Sequence, residues 1–233
     1  MYNYNNNRKP LFRGFFCFRP FCVIIFLFAN LTFFAQEKLL KKSTFQSEEI
    51  EIITDGLDDV TIENSLSNQI EVVLLDENPN THTIFIDEQS GVLKVSFKLN
   101  FNIFKEPVFR KYITQRLQRA TTIIKIPNHK IVNIYGKTID ITSKDYKGDL
   151  KIYIDSGNVK LNEVKGNIAV KLFSGNVYGR IKKASAINIE TNNGKIHINK
   201  NSYSTQFHSK NNPKTIRKLN VRSINANVIL ITE

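Results

Sequence analysis

The sequence predicts an all-β chain whose repeated part is a single-chain parallel β-solenoid with coils of about 18 residues. An antiparallel β meander or sandwich is the alternative the same pattern allows. Three observations carry this prediction. Apolar and polar residues alternate over short runs bounded by turn residues. The spacing of three and four that marks a helix is nearly absent. Seven of the ten glycines fall between positions 136 and 194 and return at a regular interval.

Read from the N-terminus, residues 1–35 form a signal peptide and not part of the fold. Arg8, Lys9, Arg13 and Arg19 stand without an acid ahead of the apolar run FCVIIFLFANLTFFA, which ends at Ala35. A basic start, an apolar stretch and a small residue at the exit make an export signal, and Gln36 then opens the mature chain. Phe33 departs from the small residue usual at the third position before such a cut, so a leader retained as an anchor is the alternative. The run is short of the ~20 residues that span a bilayer, and no other segment is apolar enough to do so. Cys17 and Cys22 both lie in this leader, which leaves the mature chain without a disulfide, a thiol nucleophile or a cysteine metal ligand.

Residues 36–130 read as a β-rich N-terminal part. The pairs Ile50 and Ile52, Ile70 and Val72, Ile84 and Ile86, and Val95 and Phe97 alternate with polar neighbours, and DG, NPN and SG mark the turns between them. Residues 43–93 hold twelve acids and no Lys or Arg. The segment 101–125 breaks the pattern, with Lys105, Arg110, Lys111, Arg116, Arg119 and Lys125 against the single acid Glu106. Bracketed by Pro107 and Pro127, it reads as a basic excursion between strands. A short helix over 108–119 is the other reading, because Phe109, Ile113 and Leu117 recur every four residues.

Residues 131–233 read as the repeated part, continuous with what precedes it. DLKIYIDSGNVKLNEVKG at 149–166 is followed by NIAVKLFSGNVYGRIKKA at 167–184, so that Leu150, Ile152 and Ile154 fall on Ile168, Val170 and Leu172. Ser156-Gly157-Asn158-Val159 falls on Ser174-Gly175-Asn176-Val177. A weaker copy precedes at 131–148, and another begins at 185, where Ile187, Ile189, Gly194 and Ile196 answer Ile168, Val170, Gly175 and Val177. Each unit is a strand, a glycine corner, a second strand and a second turn. Glycine and asparagine recur there because sharp corners favour positive φ. Identity position by position at the corner favours stacking of like on like about 4.8 Å apart, since hairpins constrain their turns only to be turns. On this reading Asn158 and Asn176 are ladder rungs and not ligand-binding residues.

The leader, the TTIIKIPNHKIVNIYG entry and the repeated Gly-Asn-Val and Gly-Asn-Ile units resemble the exported bacterial adhesin family that includes the auto-transporter adhesin head domain named for Gly-Ile-Asn. The resemblance is specific over about 131–200. It implies a right-handed β-helix-like fold on the cell envelope, placed in the periplasm, on the outer surface or outside the cell, with no established activity.

The residues point away from catalysis. His82, His129, His197 and His208 are scattered without metal-ligand spacing, and no phosphate loop, nucleophile elbow or Ser-His-Asp order is present. Asp155 sits at a corner, but its equivalent one repeat on is Phe173, so no carboxylate pair of the kind glycosidases use is built there. No cofactor is expected, and the reading is an exported, adhesin-like binding or structural module of the envelope or cell surface. A carbohydrate-active β-helix enzyme acting on an acidic glycan, and an envelope regulatory component binding a protein partner, are the competing readings.

The whole chain carries a net charge of +12, of which +8 remains once the four basic residues of the leader are set aside. Beyond Glu190 no acid occurs until Glu233. The expected partner surface is therefore basic: Lys105, Arg110, Lys111, Arg116 and Arg119 in the excursion, and Lys214, Arg217, Lys218 and Arg222 near the C-terminus. Its expected partners are an anionic envelope glycan or another envelope protein. Nucleic acid is not expected for an exported chain without a recognition motif.

Overall fold

The computed structural model describes residues 37–76, 82–99, 120–209 and 217–233. Every regular element among them is a β-strand. The leader, the NPN turn and residues 101–119, with the alternative helix, lie outside them. The N-terminal part supplies β1 (Glu37–Thr44), β2 (Glu49–Ile53), β3 (Asp59–Asn64), β4 (Gln69–Asp76), β5 (His82–Gln89) and β6 (Val92–Leu99). β7 (Ala120–Ile126), β8 (Ile131–Thr138) and β9 (Asp140–Lys144) lead into two 14-residue strands, β10 (Asp149–Asn162) and β11 (Ile168–Ile181). β12 (Ser185–Thr191), β13 (Ile196–Ile198), β14 (Asn201–Tyr203), β15 (Gln206–His208) and the 16-residue β16 (Arg217–Thr232) follow. The end of the expected excursion is thus regular strand: ATTIIKI alternates buried and half-buried residues throughout β7.

These strands form one mixed sheet. It is best described as two ladders that share β10, β11 and β16, each of which pairs through its first half in one ladder and its second half in the other. The first ladder runs β5, β6, β2, β8, β10, β11, β16, β12, β15. The second runs β1, β4, β7, β3, β9, β10, β11, β16, β13, β14. The pairings of the central strands are parallel, and antiparallel pairs close the ends: β5–β6 and β12–β15 in the first ladder, β1–β4, β4–β7 and β13–β14 in the second.

Parity of burial explains how one strand serves both ladders. In β10 the even positions Leu150, Ile152 and Ile154 are buried, and after the corner the odd positions Val159 and Leu161 are. Strand side chains alternate sides, so a switch of parity requires a bend. Gly157 (φ +142°) and Gly175 (φ +133°) supply it. A Cβ on Gly175 would lie 1.9 Å from the carbonyl oxygen of Gly157. Side chains from both ladders enter one hydrophobic cluster that includes Ile62, Ile134, Ile152, Leu161, Val170 and Val228.

The two clearest repeats pair as the sequence indicates, in parallel and in register, Ser156 to Ser174 through Val159 to Val177. The fourth copy departs from expectation. Ile187 and Ile196 do not lie beside Ile168 and Val177, because β16 is inserted between them: Leu219 pairs with both Ile168 and Ile187, and Val228 with both Val177 and Ile196. A matching insertion occurs at the other end, where β2 and β3 sit between the later β6 and β7 on one side and β8 and β9 on the other.

Polar ladders close the corners. Asp140 accepts hydrogen bonds from the backbone N–H of Asn158 (2.8 Å) and from its side-chain amide (3.1 and 3.2 Å). The Asn176 amide donates to Asn158 Oδ1 (3.0 Å), and the Asn227 amide donates to Asn176 Oδ1 (3.2 Å). At the opposite turn Asp149 receives Asn167, whose Oδ1 accepts the Lys218 backbone N–H. The asparagines of the repeat are rungs: each amide both donates and accepts, so corner groups exposed by the bend find partners.

Candidate binding surfaces

Side chains that alternate away from the core stack into rows across the layers. One row on the first ladder reads Tyr135, Tyr153, Lys171, Arg222, Glu190, taken from β8, β10, β11, β16 and β12. The Tyr135 and Tyr153 rings stack at 5.2 Å with 10° between planes, and Lys171 Nζ lies 5.5 Å from the Tyr153 ring centre. Arg222 Nε stands 3.3 Å from Glu190 Oε2. Two residues further along come Asp155 on β10, Phe173 on β11 and Ile224 on β16, with Asn192 just past the end of β12. Between these rows lies an open groove of about 550 Å³. Phe173 is 57% and Ile224 39% exposed there.

The acids of this groove are not spaced for glycoside hydrolysis. Asp155 and Glu190 are three layers apart, about 14 Å along the stack, whereas paired glycosidase carboxylates stand roughly 5–9.5 Å apart. The sequence reading missed one close acid pair, Asp59 and Asp140, which parallel pairing of β3 and β9 sets side by side. Burial, and then the Asp140 charge, raise the Asp59 pKa above its ordinary value. Both Asp140 oxygens are taken by Asn158, so Asp140 anchors the corner ladder.

Of the expected basic surface, Lys105, Arg110, Lys111, Arg116, Arg119 and Lys214 lie outside the described residues. Arg217, Lys218 and Arg222 are on β16, where the structure separates them. Arg222 belongs to the groove and faces Glu190. Lys218 is exposed, with its backbone tied to Asn167. Arg217 lines a second cavity, about 360 Å³, together with Arg180, Lys182, Glu163 and Glu233. None of its three cations pairs with a described acid within ion-pair distance. Arg180 and Lys182 were not singled out in the sequence, because they join Arg217 only through the placement of β16 beside β11.

The described residues thus form an all-β mixed sheet with glycine corners and asparagine rungs. The chain belongs to the Toastrack DUF4097 family, a domain of unknown function, whose sequence profile matches residues 46–223. No curated protein matches the sequence. Among solved structures, a candidate cell adhesion protein from Clostridium sporogenes is similar at 10% identity and a TM-score of 0.60, covering 85% of this chain and 100% of that one. A candidate adhesin from Parabacteroides merdae (14% identity, TM-score 0.36, 84% and 76% covered) and a candidate lipid binding protein from Parabacteroides distasonis (11%, 0.24, 84% and 96%) align too loosely to carry an argument. The first likeness establishes shared fold, and the adhesin resemblance read from the corner repeats holds at the level of family.

Proposed function

We propose that the protein is an exported, non-catalytic envelope module, adhesin-like, whose layers form a parallel β-solenoid carrying a surface for an anionic glycan. Residues 1–35 act as its export signal, and 36–233 form the mature body. The in-register parallel pairing of like corners supports the solenoid reading, and the wide spacing of Asp155 and Glu190 argues against a glycan-cleaving enzyme.

One observation supports the partner assignment: Arg180, Lys182 and Arg217 line a single cavity, outnumber the Glu163 and Glu233 side chains that line it with them, and stand in no ion pair with a described acid. Guanidinium groups present forked donors that match carboxylate and phosphate oxygens. Lys218 on the same strand as Arg217 adds to the basic character of this region, and the basic residues 105, 110, 111, 116, 119 and 214, which lie outside the described residues, remain part of the proposed surface on their charge alone. The test is binding of purified protein to lipopolysaccharide and to a polyuronate at low and physiological ionic strength. Binding should weaken as the Debye length falls to about 8 Å, and Arg180→Glu with Arg217→Glu should reduce it at least tenfold. Binding indifferent to both salt and charge reversal refutes the assignment.

A further inference from the structure

We propose that the outer groove between Tyr153 and Asn192 is a subsite for a neutral pyranose chain. This site is separate in place and in chemistry from the anion cavity around Arg217.

The groove pairs an apolar platform with flanking polar groups. Phe173 and Ile224 stand side by side on adjacent layers, both well exposed. Single exposed apolar side chains are ordinary, but here two adjacent ones, flanked by polar groups, form a small apolar platform in an open groove. A pyranose ring has the matching shape, with a face of C–H groups that packs on an aromatic ring and hydroxyls around its edge. Those hydroxyls meet Asp155 and Glu190 as acceptors, Lys171 and Arg222 as donors, and Asn192 as both. Binding sites of this size usually combine such an apolar lining with a few placed polar groups.

Charge selects the neutral class. Lys171 and Arg222 are balanced by Asp155 and Glu190, and Arg222 already faces Glu190 at 3.3 Å. The groove therefore offers no net field to a polyanion. Its length follows from its construction: four layers span about 14 Å, and an extended pyranose chain advances by roughly one layer spacing per sugar. The row fits three rings laid across the layers, with the middle one over Phe173. The aromatic occurs at this position in one layer only, since its counterparts in the neighbouring layers are Asp155, Ile224 and Asn192, so a single stacking position organises the site.

The chain contains no tryptophan, so Phe173→Trp installs a unique fluorophore on the platform while keeping an aromatic face. Its emission should shift on titration with at least one of cellohexaose, xylohexaose and mannohexaose. Calorimetry with the same sugar should show affinity roughly tenfold lower for Phe173→Ala and little change between low and physiological salt. Arg180→Glu, in the other cavity, should leave it unaltered. Thermal unfolding of Phe173→Ala should match the native protein, because the side chain is largely in solvent. A silent fluorophore with all three sugars, native affinity in Phe173→Ala, or affinity that collapses with salt overturns the proposal. Because the anion assignment is read from Arg180 and Arg217 variants, either one can fail alone.

Discussion

Replacing Gly175 by alanine tests the stacked corner directly. The new Cβ would lie 1.9 Å from the Gly157 carbonyl oxygen and 2.9 Å from its carbon, against 3.4 Å or more for ordinary contact. Both neighbours are backbone, so no side chain can swing aside and the layers must part by more than an ångström. Gly91→Ala is the matched control: its φ of +79° is also unfavourable for alanine, yet nothing lies within 4 Å of the new methyl. Positive φ alone costs about 1–2 kcal/mol. Parting the layers at residues 157 and 175 strains the ladder bonds beside them, at about 0.5–1.5 kcal/mol each. Gly175→Ala should thus lose about 3–5 kcal/mol, a large share of the 5–15 kcal/mol typical of a domain. Urea titrations followed by far-ultraviolet circular dichroism measure both variants. Equal losses, or a smaller loss at Gly175, would show that the corners are not in contact and would refute the stacking argument.

Two further outcomes follow from the same geometry. Asp59 holds its proton more tightly folded than unfolded, so it favours folding at low pH, and that contribution is lost as pH rises from about its ordinary 3.8 through the raised value. Asp59→Asn should remove this loss and be at least as stable as the native protein at neutral pH. Glu88, lowered by the Ser47 hydroxyl and backbone, acts with opposite sign but equally in both proteins. Urea midpoints between acid and neutral pH decide it, and parallel curves would sink the idea. Tyr146 is fully buried and donates to the Lys130 carbonyl at 2.8 Å, so Tyr146→Phe should cost about 1 kcal/mol in the same titration. No measurable change would mean that this carbonyl finds another partner.

Residues 149–184 were legible because parallel stacking makes equivalent positions neighbours, and neighbours that share an environment share a residue type. That logic fails wherever chain order and stacking order differ. Ile187 to Ile198 resemble the preceding repeat and bury the same face, yet they lie one layer further away than their spacing suggests. The intervening β16 has Ala226 where the repeats have glycine, which hid it. Its Asn227-Val228 still matches Asn176-Val177, the one local signal that could have placed it. The groove was invisible for the same reason: Arg222 and Ile224 reach Lys171 and Phe173 only through that insertion. Asp59 and Asp140 could not be paired from sequence either, since 81 positions separate them and nothing repeats between them.

The placement of β16 also governs the order in which the molecule can assemble. Residues 185–208 precede 217–232 in the chain, yet among the described strands the only parallel partner of β12 and β13 is β16. They must wait, unpaired on that side, until a strand that follows them has docked on β11. At the far end β2 and β3 are likewise enclosed by strands that come later. Seating β16 between β11 and β12, and β2 and β3 between later strands, therefore requires closing long loops, which are slow steps. Until both closures are made, the protein presents open strand edges. The antiparallel pairs at the two ends reverse the strand direction, so that β5 and β15 in one ladder and β1 and β14 in the other, and not a further parallel layer, form the outer edges.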